Sequence, residues 1–273
     1  MDKPRIAALG LSALFWPVAA FAATQRVPVV TQVQGAVFYR TFLTIGNASA
    51  SPMVSTTLTL TYRSPADGSI QAPVMHLDPL AAGQAVTFDD VIQTFKDAGA
   101  IRAQDSSAGL FGTLTVSPAG ASPAFSVVAR TYSPGSGGGT NGIAYVGRDT
   151  SAAGTKSKLV AFVSNGSFGP AGTTRANIAV VNEGGAATDV RLTYFDASTG
   201  VALKQFTLSS LAGHALAPGE VVQVNNVFSS VPASTTLMRI EAAPTAPVAI
   251  SGYAVQLDSV TNDGSFFLMT EEP

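Results

Sequence analysis

The stretch Arg40-Thr-Phe-Leu-Thr-Ile-Gly-Asn47 recurs in altered form as Arg175-Ala-Asn-Ile-Ala-Val-Val-Asn182. Further echoes follow in the same order: Leu60-Thr-Tyr62 with Leu192-Thr-Tyr194, Asp67-Gly68 with Thr199-Gly200, and Gly83 with Gly219. Asp89-Asp-Val-Ile92 then pairs with Asn225-Asn-Val-Phe228, and Pro123 with Pro247. A chain that repeats one pattern of strand and turn residues at long range builds one structural plan twice. The duplication therefore constrains the fold before any single motif is weighed, and it says little about function.

Alternation with a period of two is the dominant local signal. Val54-Ser-Thr-Thr-Leu-Thr-Leu-Thr-Tyr62 places Val54, Thr56, Leu58, Leu60 and Tyr62 on one face. Residues 112–116, 124–132, 189–195, 221–225, 237–241 and 249–257 read the same way. Turn formers separate them: Pro65-Ala-Asp-Gly68, Ala82-Gly83, Ser198-Thr-Gly200, Pro218-Gly219 and Asn262-Asp-Gly264. Short strands with such frequent turns predict sandwiches rather than βαβ units. The first strands correspond (Arg26 to Val30, Lys158 to Phe162), and so do the final ones (Ile143 to Val146, Phe266 to Met269). One helix is predicted in the first copy. Asp89 or Asp90 caps it, Val91, Ile92 and Phe95 form its apolar stripe, and Gly99 ends it. The second copy keeps a shortened version, Asn226 to Ser230, with Asn226 as its cap.

The N-terminus reads as an export signal. Lys3 and Arg5 precede a mostly apolar run from Ile6 to Val18, and Ala20-Phe21-Ala22 supplies the small residues of a cleavage site near Ala22. Pro17 and the short length argue against a bilayer span. The expected organisation is a signal peptide over 1–22, a first module over 23–147, a linker over 148–157 and a second module over 158–273. Ser133 to Gly142 and Ser151 to Lys156 are loose in composition. The formal net charge of −2 gives no electrostatic case for nucleic acid or anionic lipid. With no cysteine, disulfides, thiolate metal sites and thiol nucleophiles are excluded, so burial must hold the exported fold.

Catalytic constellations are absent from the sequence. There is no Gly-x-Ser-x-Gly, no His-Glu-x-x-His, no P-loop and no dinucleotide fingerprint. Of the two histidines, His76 lies near Asp78 without an activated serine, and His214 sits in Leu211-Ala-Gly-His-Ala-Leu216. Both read as strand-edge or loop residues. Asp258, Asn262 and Asp263 put oxygen ligands on one tight loop, which a hard cation would accept. The competing and preferred reading is a Thr-Asn-Asp-Gly hairpin turn. Phe38, Tyr39, Tyr132, Tyr145, Phe168 and Phe267 are aromatic candidates for a sugar platform, although strand packing explains them equally. Arg40 and Arg175 share a strand face opposite Leu43 and Ile178, so a shared structural task or a repeated ligand site follows. Asn47-Ala-Ser49 and Asn165-Gly-Ser167 are glycosylation sequons.

Tyr39 to Asn47, Ala129-Arg-Thr-Tyr132 with Gly139-Thr-Asn-Gly142, Thr174 to Asn182, Gln223 to Phe228 and the Asp258 loop together resemble one family. It comprises exported bacterial proteins with two tandem Ig-like β-sandwich modules. In that family the loop reads Asp-Asn-x-Thr-x-Asp-Pro, from which Ser259 and Gly264 depart. The resemblance spans the mature chain and implies fold and export, but no activity. The resulting expectation is an all-β chain of two tandem Ig-like antiparallel β-sandwich domains with one short helix in the first. It would act as a non-catalytic secreted module binding protein or cell-envelope glycan, with no cofactor. The alternatives are a carbohydrate-binding module, or a hydrolase with its site at the cleft between modules.

Overall fold

The computed structural model describes residues 24–35, 37–119, 124–135, 138–150, 158–166, 173–261 and 263–272. The expected leader, Asn262, Phe168 and most of the expected linker lie outside these residues.

The first half contains β1 (Gln25–Gln34), β2 (Phe38–Asn47), β3 (Thr56–Arg63), β4 (Ile70–Gln71), β5 (Val74–Leu77) and β6 (Ala85–Phe88). Helix α1 (Val91–Asp97) follows, then β7 (Leu110–Pro118), β8 (Phe125–Pro134), β9 (Thr140–Val146) and β10 (Arg148–Asp149). The second half contains β11 (Leu159–Ser164), β12 (Thr174–Asn182), β13 (Val190–Asp196), β14 (Ala202–Thr207) and α2 (Leu208–Ala212). It continues with β15 (Val221–Val224), β16 (Leu237–Pro244), β17 (Ile250–Asp258), β18 (Gly264–Leu268) and β19 (Thr270–Glu271).

All pairings are antiparallel, and the strand order is used twice. In the first half, β4 and β5 share one edge of β3, whose other edge leads to β7, β1 and β10, while β6-β2-β8-β9 forms the opposing layer. The second half repeats this as β14-β13-β16-β11-β19 and β15-β12-β17-β18. In the first half the layers are also joined at a corner, where Val33 pairs with Tyr39. The register of β1 shifts between Val27 and Val30, around Pro28, which has no N–H to give the ladder. Arg148 and Asp149, at the start of the expected linker, pair with Arg26 and Gln25.

The duplicated asparagines explain why the two halves share a turn. Asn47 Nδ2 donates to the carbonyls of Ser51, Leu80 and Ala81 at 2.8, 3.1 and 3.1 Å. Asn182 Nδ2 donates to Ala186 and Leu216 at 2.8 and 2.9 Å. Each residue's own carbonyl accepts from the equivalent glycine, Gly83 or Gly219, both in the left-handed region at φ 71° and 74°. One buried amide thus ties a strand end to the connection that passes over it. Both sequon asparagines are consumed in this way: Asn47 is buried, and the buried Asn165 Nδ2 donates to Thr235 at 2.9 Å.

Helix α1 forms as its pattern demands. Asp90 accepts from Gln93 N, Val91, Ile92 and Phe95 are buried, and Gly99 ends the run at φ 68°. Three details differ from expectation. Val54 precedes β3 and is exposed. Asn226 heads the 3-10 turn Val227–Ser230 without a side-chain cap, its backbone being left-handed. A second helix, α2, is present in the second half, where the Asp189 carboxylate accepts from the backbone N–H and hydroxyl of Ser209. Five residues are too few to display a helical period.

Leu43, Ile45, Leu58, Leu60, Leu114 and Val127 fill the first core, with Phe95 among them. Ile178, Val180, Leu192, Tyr194, Ile240 and Ala254 fill the second. The alternate residues of the second half's four-stranded layer do not face solvent. Ala179, Val181, Val221, Tyr253, Val255 and Leu257 join the first half's apolar cluster. β12 and β17 are therefore covered on both faces, one by their own sandwich and one by its neighbour.

Candidate binding cleft between the two sandwiches

The junction is held by paired charges and a few close contacts. Arg63 grips Glu220 with two hydrogen bonds, Nε to Oε1 at 2.7 Å and Nη2 to Oε2 at 2.8 Å. Glu220 also accepts from Ala217 N at 2.8 Å and lies 2.9 Å from His214 Nε2. Burial works to raise the Glu220 carboxyl pKa, but these partners outweigh it and hold it below the usual value. Arg26 pairs with Glu183, which also accepts from Ser251 Oγ at 2.6 Å. The buried Thr113 hydroxyl donates to Gly219 O at 2.7 Å. A Cβ at Gly219 would lie 3.3 Å from Thr61 Oγ1, so this left-handed turn is also pressed against β3. At the far side Tyr145 meets Tyr253 edge-on at 5.8 Å and Phe266 at 5.1 Å. Burial raises the phenol pKa of both tyrosines well above the ordinary tyrosine range, and the Tyr145 charge adds to the effect at Tyr253.

Between these anchors the faces do not close. A cleft of about 510 Å3 opens between β1, β9, β12 and β17, bordered by Tyr39, Tyr145, Arg175, Asn177, Gln223 and Asn225. A second hollow, also about 510 Å3, shares Val33, Phe111, Gln223 and Asn225 with the first and runs on to His214 and Glu220. Each is within the usual range of small-molecule sites, about 300–1,000 Å3. The floor is an ordered amide array. Tyr253 OH donates to Gln223 Oε1 at 3.0 Å, Gln223 Nε2 donates to Asn225 Oδ1 at 2.6 Å, and Asn177 Oδ1 accepts from Asn226 N at 2.9 Å. Val29, Val33, Val255 and Leu257 supply the apolar walls.

The structure divides the residues singled out from sequence. Arg175 borders the cleft and has an interaction within the chain. Arg40 does not reach it. Its guanidinium lies 4.9 Å from the Tyr132 ring on the outward face of β2 and β8, and Tyr132 OH donates to Asp89 O at 3.2 Å. The duplicated arginines thus have unlike surroundings. Tyr39, Tyr132 and Tyr145 form no common platform: Tyr39 borders the cleft, Tyr132 faces away, and Tyr145 is 4% exposed. The Asp258 carboxylate accepts from Val260 N at 2.7 Å and Thr261 N at 2.8 Å, and these bonds hold its pKa low. That is turn chemistry. The loop docks on the first half, where Asn141 Nδ2 donates to Thr261 O at 2.6 Å and Gly142 N reaches Asp263 Oδ1 at 3.4 Å. Among the described residues no cluster of three His, Asp or Glu could hold a metal. His76 is exposed on β5 and reaches Thr57 Oγ1 at 3.4 Å. His214 is a loop residue, half-buried, and it contacts Glu220 at the junction.

Asn177, Gln223 and Asn225 escaped the sequence reading because a lone amide carries no motif. A weaker signal was present. β12 ends in Ala179-Val180-Val181-Asn182, and β17 is apolar at most positions, as strands covered on both faces are.

No family model matches the chain, and no curated protein sequence does. Among solved structures it is similar to Thermotoga maritima 1070, at 10% identity and a TM-score of 0.27 over 47% of this chain and 94% of that one. It is also similar to the PBSX exported protein XepA, at 12% identity and a TM-score of 0.23 over 83% and 84%. The apo Pleurotus ostreatus lectin shows 11% identity and a TM-score of 0.17 over 92% and 82%. At these TM-scores the likenesses carry no argument about function.

Proposed function

We propose that this is an exported, non-catalytic binding protein whose ligand seat is the cleft between its two sandwiches. The observation that carries the reading is the cleft itself: apolar walls above a fixed floor of amides, opened by two faces that are otherwise clamped together. Concave, mostly apolar hollows with a few oriented polar groups are the usual form of a ligand site. Three points support a non-catalytic role. The Glu220 carboxylate is fully engaged by Arg63, Ala217 and His214, His76 stands in the open with only the Thr57 hydroxyl near it, and among the described residues no serine hydroxyl contacts either histidine. No helix among the described residues is long and apolar enough to cross a membrane.

The test is co-sedimentation of residues 23–273 with envelope fractions of the source organism, alongside Asn225→Trp and Arg40→Ala. Asn225 is an exposed residue at the cleft, so a Trp there fills the opening without entering a core. Saturable binding that Asn225→Trp abolishes and Arg40→Ala leaves intact supports the cleft as the seat. Binding indifferent to Asn225→Trp, or binding to no fraction, refutes it.

A further inference from the structure

We infer that the cleft takes a neutral, hydroxyl-rich ligand, a short uncharged oligosaccharide, held by an amide array that only the second half carries. The inference rests on the cleft being the ligand seat, and it names what that seat recognises.

The unspent hydrogen-bonding groups decide the chemistry. Asn177 uses its oxygen on Asn226 N, and Asn225 uses its oxygen on Gln223 Nε2. Their Nδ2 groups, the Asn226 side-chain amide and the Tyr39 hydroxyl have no partner among the described residues, and all of these residues border the same cleft. An amide offers donors and an acceptor at once, and so does a phenol. A sugar hydroxyl is the complementary group, since it also donates and accepts.

Charge points the same way. No carboxylate borders this part of the cleft among the described residues. Its one cation, Arg175, is already engaged within the chain. Neither an anionic nor a cationic ligand would find a set of opposing charges, and burying an unpaired charge is costly. The apolar walls of Val29, Val33, Val255 and Leu257 suit the C–H faces of sugar rings, with the Tyr39 ring beside them.

Comparison of the halves shows that this neutrality is local. By strand register Asn177 stands where the first half has Phe42, and Gln223 stands where it has Thr87. Asn225 and Asn226 stand where it has Asp89 and Asp90. In the first half Asp90 caps a helix. In the second the same position is a left-handed asparagine, φ 46°, the only non-glycine residue with positive φ among those described. Its N–H is held by Asn177 from the adjacent strand. Strained backbone of this kind persists where surrounding structure fixes it, often at binding sites. The copy of the corner that faces the cleft has amides in place of acids.

The experiment is saturation-transfer NMR of the whole chain with four neutral trimers: maltotriose, cellotriose, xylotriose and triacetylchitotriose. Trigalacturonate serves as an equally hydroxylated but charged probe. Three variants accompany the wild type. Asn225→Trp blocks the cleft. Asn177→Asp keeps the oxygen that holds Asn226 but removes the Nδ2 donor. Arg40→Ala alters the opposite face. The expected result is saturable transfer to at least one neutral trimer, abolished by Asn225→Trp, weakened about tenfold by Asn177→Asp for one lost hydrogen bond, and unchanged by Arg40→Ala. If only trigalacturonate binds and Asn225→Trp abolishes it, the cleft stands as the seat and the neutral ligand class falls. If a neutral trimer binds equally to Asn225→Trp, the seat itself is wrong. If no probe binds, the oligosaccharide assignment is overturned, while co-sedimentation judges the cleft separately.

Discussion

Tyr62 and Tyr194 are copies of one residue, and the structure predicts opposite consequences for removing their hydroxyls. Both are buried on equivalent strands, β3 and β13. Tyr62 OH donates to Asp105 Oδ2 at 3.0 Å, whereas Tyr194 OH has no partner among the described residues. A hydrogen bond to a charged acceptor contributes about 1.5–3 kcal/mol. In Tyr62→Phe, Asp105 would still receive Ser64 Oγ at 2.6 Å and Arg102 Nε and Nη2 at 3.0 and 2.9 Å. The loss should therefore fall at the lower end, about 1.5–2 kcal/mol. Tyr194→Phe removes a buried polar group that makes no bond, so it should be neutral or stabilise by up to about 1 kcal/mol. One chemical change at two equivalent sites then differs by roughly 2 kcal/mol. Urea unfolding followed by far-UV circular dichroism reads this as a displaced midpoint at constant slope. Acid adds a second criterion. Burial acts to raise the Asp105 pKa, but the bonds from Ser64, Arg102 and Tyr62 and the Arg102 charge outweigh it and lower the value. Its contribution is complete above the unfolded carboxylate pKa of about 3.9 and disappears as pH falls through the lower folded value. The Tyr62→Phe penalty should shrink in that window. Equal destabilisation by both variants at pH 7 would refute the reasoning.

Three further outcomes follow from the same contacts. Asn182→Ala strips partners from the carbonyls of Ala186 and Leu216 and from Gly184 N. It should cost about 2–4 kcal/mol in urea unfolding, and a cost under about 1 kcal/mol would remove its assigned role in the turn. Glu220→Gln keeps the shape of the junction but weakens the grip of Arg63, with an expected loss of about 2 kcal/mol near neutrality. Because the folded Glu220 pKa is lowered, the wild type should lose this advantage as pH falls below about 4.3; parallel melting curves for the two proteins from pH 7 to 3 would count against it. Gly112→Ala would place a Cβ 2.2 Å from the Thr61 carbonyl oxygen on the adjacent strand. Parting β3 from β7 should cost about 1–3 kcal/mol or more, and an unchanged thermal midpoint would show that the strands are not so close.

The all-β architecture and its doubling were legible in the sequence, because both rest on local rules. Alternation put Leu58, Leu60 and Tyr62 on one face, and the echoes of Asn47 with Asn182 and Gly83 with Gly219 marked one turn used twice. Asp90 and Gly99 announced the ends of α1 for similar reasons, since a cap and a left-handed glycine act on their nearest neighbours. The Asp258 carboxylate likewise bonds to its near neighbours, two and three residues on. What the repeat could not say is which face of which copy would meet the other. Arg40 and Arg175 are equivalent by register, yet one lies outward on Tyr132 and the other borders the cleft. Tyr62 and Tyr194 are equivalent too, yet only one has an aspartate within reach. Period-two patterning distinguishes the inside of a sheet from its outside, but it does not reveal that an outside will be covered by another sheet. The cleft is made by that covering. Its amides come from β12, β15 and the turn after it, its walls from β1 and β17, and the clamps from Arg26 and Arg63 to Glu183 and Glu220 span the two copies. Sequence determined two like sandwiches through contacts within each; only the tertiary structure, by docking one on the other, decided where a ligand could sit.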